Sequence, residues 1–431
     1  MQFEVRPAER RALAWSLLYV FAVLSAYYVL RPIRDEMGVQ GGVENLPWLF
    51  TGTLLGMLAI NPLFALLVKR LPRVRFIAWS YRFFAANLLA FAALFALATP
   101  EQNVWLGRMF FIWASVFNLF VVSVFWALMV DVFDSEQGKR LFGFLAAGAT
   151  LGAIAGSTIT ASLVGKLGAT TLFFASIVLL EVAVFAVRRL SRLSEKLERR
   201  PTAEAAAAEA PIGGGVLAGI SHTLRSPYLL NVCLFMVLFT VTSTFLYFQQ
   251  ASIARDYFAD RASRTAFFAQ VDLLVNVLTL SIQLFFTARI LKRFGVALTL
   301  GILPLFSVLG FAALAAAPTI AVLVVLQVLR RAANFALARP TRELLYTVLP
   351  REDKYKAKSF IDTVVYRGGD QVGSWSYLLL SSMGLGIAGV ALVAVPLSAL
   401  WLANSLWLGR RQASLVSAGA SPETGQRMPS G

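Results

Sequence analysis

The sequence is poor in charged residues. Only 14% of its 431 residues are Asp, Glu, Lys or Arg, whereas 58% are hydrophobic and the mean hydropathy is +0.70. Soluble globular domains carry about one quarter charged residues, so this shortage excludes an ordinary soluble domain. It indicates a chain embedded in a lipid bilayer.

Residues that catalytic and metal sites need are also scarce. The chain has one histidine, His222, and one cysteine, Cys233, which excludes a His/Cys zinc site and an internal disulfide. It lacks a G-x-x-x-x-G-K-[ST] phosphate loop, which excludes a P-loop ATP-driven pump. We therefore predict a protein that is not an enzyme and that holds no metal and no cofactor.

Long apolar runs are what the sequence does have. We count about twelve, each near the ~20 residues that a helix needs to cross a bilayer core of about 30 Å. They lie near 12–30, 46–68, 76–98, 104–130, 142–165, 171–187, 229–248, 265–290, 296–316, 319–338, 359–383 and 385–408. Because the runs do not alternate as barrel strands do, they predict a bundle of transmembrane helices.

Basic residues are concentrated in alternate loops of this predicted bundle. They precede helix one and follow helices two, four, six, eight and ten, whereas the stretches after helices three, nine and eleven carry almost none. This positive-inside pattern predicts that both termini are cytoplasmic. The short loops favour a bacterial inner membrane. It also explains the net charge of +16 without nucleic-acid binding. The loop after helix seven, with Arg255, Arg261 and Arg264, departs from the pattern.

The predicted helices fall into two groups of six. We predict an N-terminal half at 1–187, a cytoplasmic central loop at 188–228, a C-terminal half at 229–409 and a disordered cytoplasmic tail at 410–431. Short matches recur in the same order in both halves, such as "LVKRLP" at 67–72 and "ILKRFG" at 290–295. The predicted fold is an all-α polytopic membrane protein of major facilitator type, and we expect a monomer.

Glycines spaced by four recur in both halves. Gly148, Gly152 and Gly156 lie in predicted helix five, and Gly369 and Gly373 lie in predicted helix eleven. Small residues at this spacing share one helix face, where a second helix can approach closely. We predict that both sets serve helix packing.

Each ionisable residue inside a predicted span has to be explained. Placing one at the centre of a membrane helix raises the free energy of insertion by ~2.5–3.5 kcal/mol. The stretch "YYVLRPIRDEMGVQ" at 27–40 places Arg31, Arg34 and Asp35 on one helix face. A similar pattern, "RPTRE", recurs at 339–343. Guanidinium groups that outnumber nearby acids in a hydrated cavity suit phosphate or carboxylate. The predicted substrate-binding residues are Arg31, Arg34, Arg331 and Arg342.

Carboxylates inside the spans are assigned to ion pairing or ion coupling. The predicted set is Asp35, Glu343, Asp272, Asp362 and Asp370. Structural ion pairs between helices are an alternative role for Asp272, Asp362, Asp370 and Glu181. Arg82 and Arg108 are expected near helix ends, where they either have a structural role or reach the lipid head groups.

Three segments carry related motifs. "LRPIRDEMGVQGGVENLPWLF" is similar to Leu-Arg-x-x-Lys-Asp followed by Gly-x-Glu-x-x-Pro, and "SEQGKRLFGFLAAGATLGAI" is similar to Glu-Ala-Lys-Arg-Phe-x-x-x-x-Gly. "TRELLYTVLPREDKYKAKSFIDTVVYRGGDQVGS" is similar to Lys-Glu-x-x-Tyr-x-x-x-Asp followed by a Lys-x-Lys-x-Lys-x-x-x-Asp segment. These motifs resemble the ATP/ADP translocases, the nucleotide transporters of plastids and of obligate intracellular bacteria.

The resemblance implies a major facilitator-like fold and nucleotide exchange or uptake, with basic residues holding phosphates. Leu30, Arg31, Arg34 and Asp35 match the first motif, with Arg34 in place of its lysine. The residues that match the third motif are Glu343, Tyr346, Lys354, Lys356, Lys358 and Asp362, with Arg342 in place of its first lysine.

We therefore predict a secondary transporter that moves an anionic solute by alternating access, with ATP:ADP antiport or nucleotide uptake as the first candidate. Another phosphorylated or carboxylated metabolite is also compatible with the arginines. A proton-coupled major facilitator exporter of drugs or metabolites, dependent on Asp272 or Glu181, is one alternative. A non-transporting scaffold or sensor that uses the 188–228 loop is the other. The anion prediction expects the arginines to have too few carboxylates beside them to cancel their charge.

Overall fold

The computed structural model describes residues 5–7, 9–70, 73–133, 135–194, 223, 226–349 and 357–419. The helices are α1 (Arg10–Gln40), a 3-10 turn (Val43–Asn45), α2 (Leu46–Arg70), α3 (Arg73–Leu97), α4 (Pro100–Val132), α5 (Ser135–Leu167), α6 (Ala169–Ser194), α7 (Pro227–Tyr257), α8 (Arg261–Phe285), α9 (Thr287–Ala316), α10 (Ile320–Ala333), a π-helical turn (Asn334–Ala338), α11 (Arg339–Leu345), a second π-helical turn (Ile361–Val365), α12 (Tyr366–Ser382) and α13 (Ile387–Gly419). Eleven helical segments in this part of the chain are long and apolar enough to cross a membrane. The predicted all-α membrane protein is confirmed.

The run predicted at 359–383 is less regular than a single membrane helix. Residues 357–360 are helical, the second π-helical turn follows, and α12 then adds 17 residues. This stretch is not among the eleven apolar spans. It carries Asp362, Arg367 and Asp370, so its polar content accounts for the difference.

Two predicted regions lie largely outside the described residues. They are most of the 188–228 loop, which includes His222, and residues 420–431 of the predicted tail. Lys354 and Lys356 of the third motif also lie outside. Where the chain is described, α6 continues to Ser194 and α13 to Gly419.

Contacts divide the fold into two compact units, and the first comprises Met1–Ala210 and Tyr247–Leu280. Within it, α1 packs against α4, α5 and α6, and α3 packs against α4 and α6. Tyr19, Val23 and Leu30 of α1 are fully buried. A helix with apolar residues around its whole circumference belongs in the interior of a bundle, which explains the central place of α1.

Glycines of α5 allow its backbone to approach that of α1. A Cβ atom on Gly152 would lie 2.5 Å from the carbonyl oxygen of Phe21, and one on Gly156 would overlap the carbonyl oxygen of Ser25. In the space that remains, Ser25 Oγ donates to the carbonyl of Gly152 at 2.9 Å. A Cβ on Gly148 would meet Leu17, so all three predicted glycines of α5 face α1.

We predict that Gly152→Ala and Gly165→Ala shift stability in opposite directions. Nothing lies within 4 Å of a Cβ on the exposed Gly165 of the same helix, so alanine there should stabilise the protein by about 0.5–1 kcal/mol. At Gly152 the added methyl group meets backbone atoms, and overpacking should cost about 1–3 kcal/mol. Thermal unfolding of both variants in detergent measures this, and equal shifts would contradict the close α1–α5 contact.

The second unit comprises Pro211–Leu246 and Ser281–Gly431. Here α9 packs along α13 and also contacts α10. Trp401 of α13 is fully buried with its ring 5.4 Å from that of Phe235 in α7. A Cβ on Gly369 would overlap Thr240 of α7, and one on Gly373 would lie 3.0 Å from the Cα of Val241. The predicted glycines of α12 therefore face α7.

The helix that begins at Ile320 changes its winding before Pro340. A proline in a helix has no N–H to donate, and its ring crowds the carbonyl four residues earlier, which here belongs to Ala336. The chain forms a π-helical turn at Asn334–Ala338, and Pro340 then lies in the first turn of α11. Thr287 Oγ1 donates to the Ala336 carbonyl at 2.9 Å. A neighbouring side chain thus satisfies the carbonyl group that the proline leaves open.

Glu9, just before α1, is buried among hydrogen-bond donors. Arg140 donates to its two oxygens at 2.8 and 3.3 Å, Gln137 Nε2 donates at 3.0 Å and the backbone N–H of Arg6 donates at 3.2 Å. Burial alone would raise the pKa of Glu9, but the bonds from Arg140, Gln137 and Arg6 outweigh it and hold the pKa below the ordinary 4.5. Arg140 belongs to the second translocase-like motif, so this contact ties that motif to the start of α1.

We predict that Glu9→Gln destabilises the protein at neutral pH by about 1–3 kcal/mol, because it removes the charged acceptor. A carboxylate with a lowered folded pKa stabilises the protein above its unfolded pKa and loses that effect as pH falls through the folded value. The difference in unfolding free energy between the wild type and the variant should therefore shrink as the pH falls below about 4.5. Thermal unfolding across pH measures it, with the exposed-site variant Asp256→Asn as the control. A gap that is independent of pH would contradict the assignment.

Candidate functional site

The C-terminal half of α1 carries a buried ionic cluster of the first unit. Arg31 Nη1 donates to Asp272 Oδ1 of α8 at 2.9 Å, and the Asp272 side chain is only 3% exposed. The guanidinium of Arg31 also lies 5.6 Å from the ring centre of Tyr28. Pro32 is accommodated inside α1, so the helix presents Arg31 and the next charges from one continuous element.

Arg34 and Asp35 form the next layer of this cluster. Arg34 donates to Asp35 Oδ1 through Nε at 3.0 Å and Nη2 at 2.5 Å, and Tyr247 of α7 donates its hydroxyl to the same oxygen at 3.0 Å. The guanidinium of Arg34 stacks 5.2 Å from the ring centre of Phe111, and its Nη1 lies 3.5 Å from Ser115 Oγ. An aromatic face and a hydroxyl from α4 thus hold this guanidinium in place.

Glu36 completes the cluster, and the sequence assigned it neither a partner nor a named role. It is 1% exposed and accepts hydrogen bonds from Arg261 at 3.1 Å and from Arg264 at 3.0 Å. Both arginines lie in the first turn of α8, in the loop region whose positive charge departs from the positive-inside pattern. Their pairing with a buried carboxylate of α1 explains that departure, which was the sequence signal for this part of the site.

The cluster carries more positive than negative charge. Its members are the arginines 31, 34, 261 and 264 and the carboxylates Asp35, Glu36 and Asp272. These are four cations against three anions. The side chain of Arg261, at the start of α8, is 41% exposed, whereas the other six side chains are at most 17% exposed. We call this set the α1 cluster.

The second unit has its own charged residues around the two π-helical turns. Arg342 of α11 is buried, with Nη1 3.0 Å from Met236 Sδ and Nη2 3.3 Å from Asp362 Oδ1. Asp362 lies in the second π-helical turn, and α11 directly follows the first. Departures of this kind are frequent at functional sites, so Arg342 and Asp362 form the second candidate group.

Arg330 is a buried cation that the sequence did not single out. Its guanidinium donates to Ser307 Oγ at 2.9 Å, Ser243 Oγ at 2.9 Å and Thr242 Oγ1 at 2.6 Å. Among the described residues it makes no ion pair. The predicted Arg331 is the next residue and is half-buried. The neighbours of Arg330 are neutral oxygens of α7 and α9, which sequence spacing cannot identify.

The remaining predicted charges form pairs along or near the same helices. Glu343 accepts from Lys358 Nζ at 2.5 Å in a partly exposed pair, and Asp370 accepts from Arg367 at 3.3 Å. Arg108 donates to the carbonyl of Gly41 at 2.8 Å and stacks on Trp105.

One expectation about the arginines is not met. Arg31, Arg34 and Arg342 each have a carboxylate at ion-pair distance, so arginine does not outnumber acid at these three positions taken singly. The sequence underestimated the acids because Asp272 and Asp362 come from distant positions in the chain. The positive excess lies instead in the α1 cluster as a whole.

Arg331 and Arg342 are eleven residues apart in the sequence, a spacing that would place them on one face of a regular α-helix. An eleven-residue spacing returns to nearly the same direction only in an uninterrupted α-helix, and a π-helical turn lies between these residues. Their shared face therefore cannot be deduced from spacing.

Residues 12–338 match the Major Facilitator Superfamily. The chain belongs to this family. It is therefore an integral membrane protein and a transporter of the major facilitator type, and the predicted fold class is confirmed. The relatives and structures that it resembles are transporters rather than enzymes.

Two similar sequences are the ADP,ATP carrier protein 1 of Chlamydia trachomatis and that of Chlamydia muridarum. This facilitator is 23% identical to them over 346 and 306 residues, which is 71% and 63% of the chain. The matches span 65% and 58% of the two carriers. They confirm the resemblance that the three motifs indicated.

Solved structures agree on the fold. An auto-inhibited peptide transporter of the POT family aligns with a TM-score of 0.60 and 15% identity, over 97% of this chain and 99% of that one. The nucleoside transporter NupG, solved as a point mutant, aligns with a TM-score of 0.55 and 15% identity, over 95% and 99%.

Proposed function

We propose that this facilitator is a secondary transporter of an anionic solute, with a nucleotide exchanged or taken up by alternating access. The observation that carries the proposal is the positive excess of the α1 cluster, of which Arg31, Arg34, Asp35 and Glu36 lie in the α1 motif that resembles the nucleotide transporters. Nucleotide phosphates carry several negative charges, and the planar fork of arginine matches their oxygens. The similarity to two ADP,ATP carriers supports the same solute class.

The ion pairs in the α1 cluster are compatible with this role. Asp272 and Asp35 balance the charge of the mostly buried guanidinium groups of Arg31 and Arg34. An incoming phosphate group would take over hydrogen bonds of Arg31 and Arg34, and the carboxylates would be released to water or to hydroxyls such as that of Tyr247. We also propose Arg331 and Arg342 as phosphate contacts in the second unit.

Proton-coupled export is less well supported by the geometry. That alternative depends on Asp272 or Glu181. Asp272 is paired with Arg31, and Glu181 lies on an exposed helix face, paired with Arg82.

The experiment that tests the proposal has two steps. Purified protein is first screened by thermal shift against nucleotides, organic acids and cationic dyes, and we expect stabilisation by nucleotides alone or by phosphorylated anions. Labelled ATP or ADP uptake into proteoliposomes is then measured with and without internal nucleotide, which distinguishes exchange from uptake. Stabilisation by cationic dyes only, with uptake driven by a pH gradient, would support the exporter instead.

A further inference from the structure

A two-pronged ion pair lies on an outer face of the first unit, within two membrane-spanning helices. Arg82 of α3 donates to Glu181 of α6 through Nε at 3.1 Å and Nη2 at 3.2 Å, and the side chains are 51% and 46% exposed. Glu181 lies roughly 18–20 Å from either end of α6. A structural role and lipid head-group contact were the two roles expected for Arg82, and here its side chain pairs with this carboxylate.

The surface around the pair is apolar. Val178, Glu181 and Phe185 are exposed at spacings of three and four along α6, and Trp79 is exposed one turn before Arg82 on α3. Such a stripe on a membrane helix faces hydrocarbon rather than water. The ion pair therefore interrupts a surface that would otherwise suit lipid.

The pair leaves hydrogen-bonding capacity unused. Glu181 engages Nε and Nη2 of Arg82, and in the described part of the chain the Nη1 group makes no hydrogen bond. Each carboxylate oxygen also retains lone pairs. Polar groups in hydrocarbon without partners are strongly disfavoured. A polar surface that contacts the ion pair at the same depth in the membrane would therefore be stabilising.

We propose that this α3–α6 face is the contact between two copies of the chain. Two copies inserted in the same orientation and closed as a pair are related by a two-fold axis along the membrane normal. A rotation about this axis leaves each residue at the same depth in the membrane. It makes the left side of one copy face the right side of the other. It therefore places Arg82 of each copy opposite Glu181 of the other, so that four charges alternate around the axis.

The α3–α6 face also carries a small residue next to the ion pair. The exposed Ala86 follows Arg82 by one turn, and small residues let membrane helices approach closely. The proposal differs from the monomer expected from the sequence, because the sequence did not place this ion pair on an outer face.

Charge reversal tests the contact separately from the internal pair. Arg82→Glu and Glu181→Arg each break the pair within a copy and the contact between like copies. A mixture of the two variants restores opposite charges only between different copies. The double variant R82E/E181R restores both arrangements and serves as the folding control.

Dimerisation is measured by energy transfer between labelled copies in liposomes at decreasing protein-to-lipid ratio. We expect the wild type and the double variant to associate. Each single variant should associate more weakly, by a factor of about ten or more. The mixture should recover association as a heterodimer. A wild type that stays monomeric, or a mixture no better than either variant alone, would overturn the proposal.

Cross-linking is a second test of the contact, and it applies even if the single variants do not fold. In a Cys233→Ser background, Ala86→Cys supplies one thiol per chain beside the proposed axis. A short bismaleimide should then give a cross-linked dimer in liposomes, and adding Arg82→Leu with Glu181→Leu should remove it. The absence of any cross-linked dimer, or its persistence in the leucine variant, contradicts the contact.

Discussion

Arg34→Ala is expected to bring uptake of labelled ATP or ADP into proteoliposomes close to background while the protein still folds. The guanidinium of Arg34 is held in one direction by Asp35, Ser115 and the ring of Phe111. Hydrogen bonds to charged groups contribute about 1.5–3 kcal/mol each. The loss corresponds to roughly 10- to 100-fold weaker nucleotide binding.

Two variants separate binding from folding in this experiment. Arg34→Lys keeps the charge, matches the lysine of the family motif and loses the planar fork, so it should retain part of the uptake. Arg255→Ala removes an arginine from an exposed ion pair with Asp256 and should leave uptake near that of the wild type. Unchanged uptake in Arg34→Ala would remove this residue from the solute site.

Much of the fold could be predicted because apolar runs of membrane length admit few structures. The helix ends were harder: α1 was expected to stop near residue 30 but extends to Gln40. Its last three turns carry the charges that made hydropathy fall. These charges are buried by partners from α7 and α8, so a criterion based on hydrophobicity alone ends the helix too early.

The candidate site was only partly predictable, because its contacts join distant parts of the chain. Arg31, Arg34 and Asp35 share a short stretch, and helical spacing places them together. Nothing in the local sequence assigns Asp272 to Arg31, since 241 positions separate them. Glu36 was missed for the same reason, although the misplaced positive charge of the loop after α7 pointed to an unrecognised acidic partner.

In the second unit, sequence spacing does not predict which residues share a helix face, because the backbone is not a regular α-helix there. The sequence predicts a helix at 319–338, and a shared face for Arg331 and Arg342 requires that helix to continue regularly past Pro340. Instead, a π-helical turn precedes Pro340. Such a turn changes the direction of every later side chain relative to the earlier ones. Adjacent residues also differ: Arg330 is enclosed by hydroxyl groups, whereas Arg331 is half-buried.

Asp272→Asn is expected to change stability and affinity in opposite directions. Asp272 is almost fully buried against Arg31, and removing one partner of a buried ion pair costs roughly 3–5 kcal/mol. The solute-free protein should therefore unfold at a lower temperature. If phosphate competes with Asp272 for Arg31, the variant should bind nucleotide about tenfold more tightly, because no carboxylate has to be displaced.

Thermal shift with increasing nucleotide concentration measures both effects on one sample. The ligand-induced increase in Tm should be larger in Asp272→Asn than in the wild type, and Asp256→Asn, at an exposed ion pair, should match the wild type. A purely structural pair predicts the lower starting stability with no gain in ligand response, so that outcome would separate Asp272 from the solute. Tighter binding should also slow nucleotide release, because no carboxylate at position 272 then competes with the phosphate group for Arg31. In that case uptake by Asp272→Asn falls even though affinity rises, which assigns Asp272 to release of the solute.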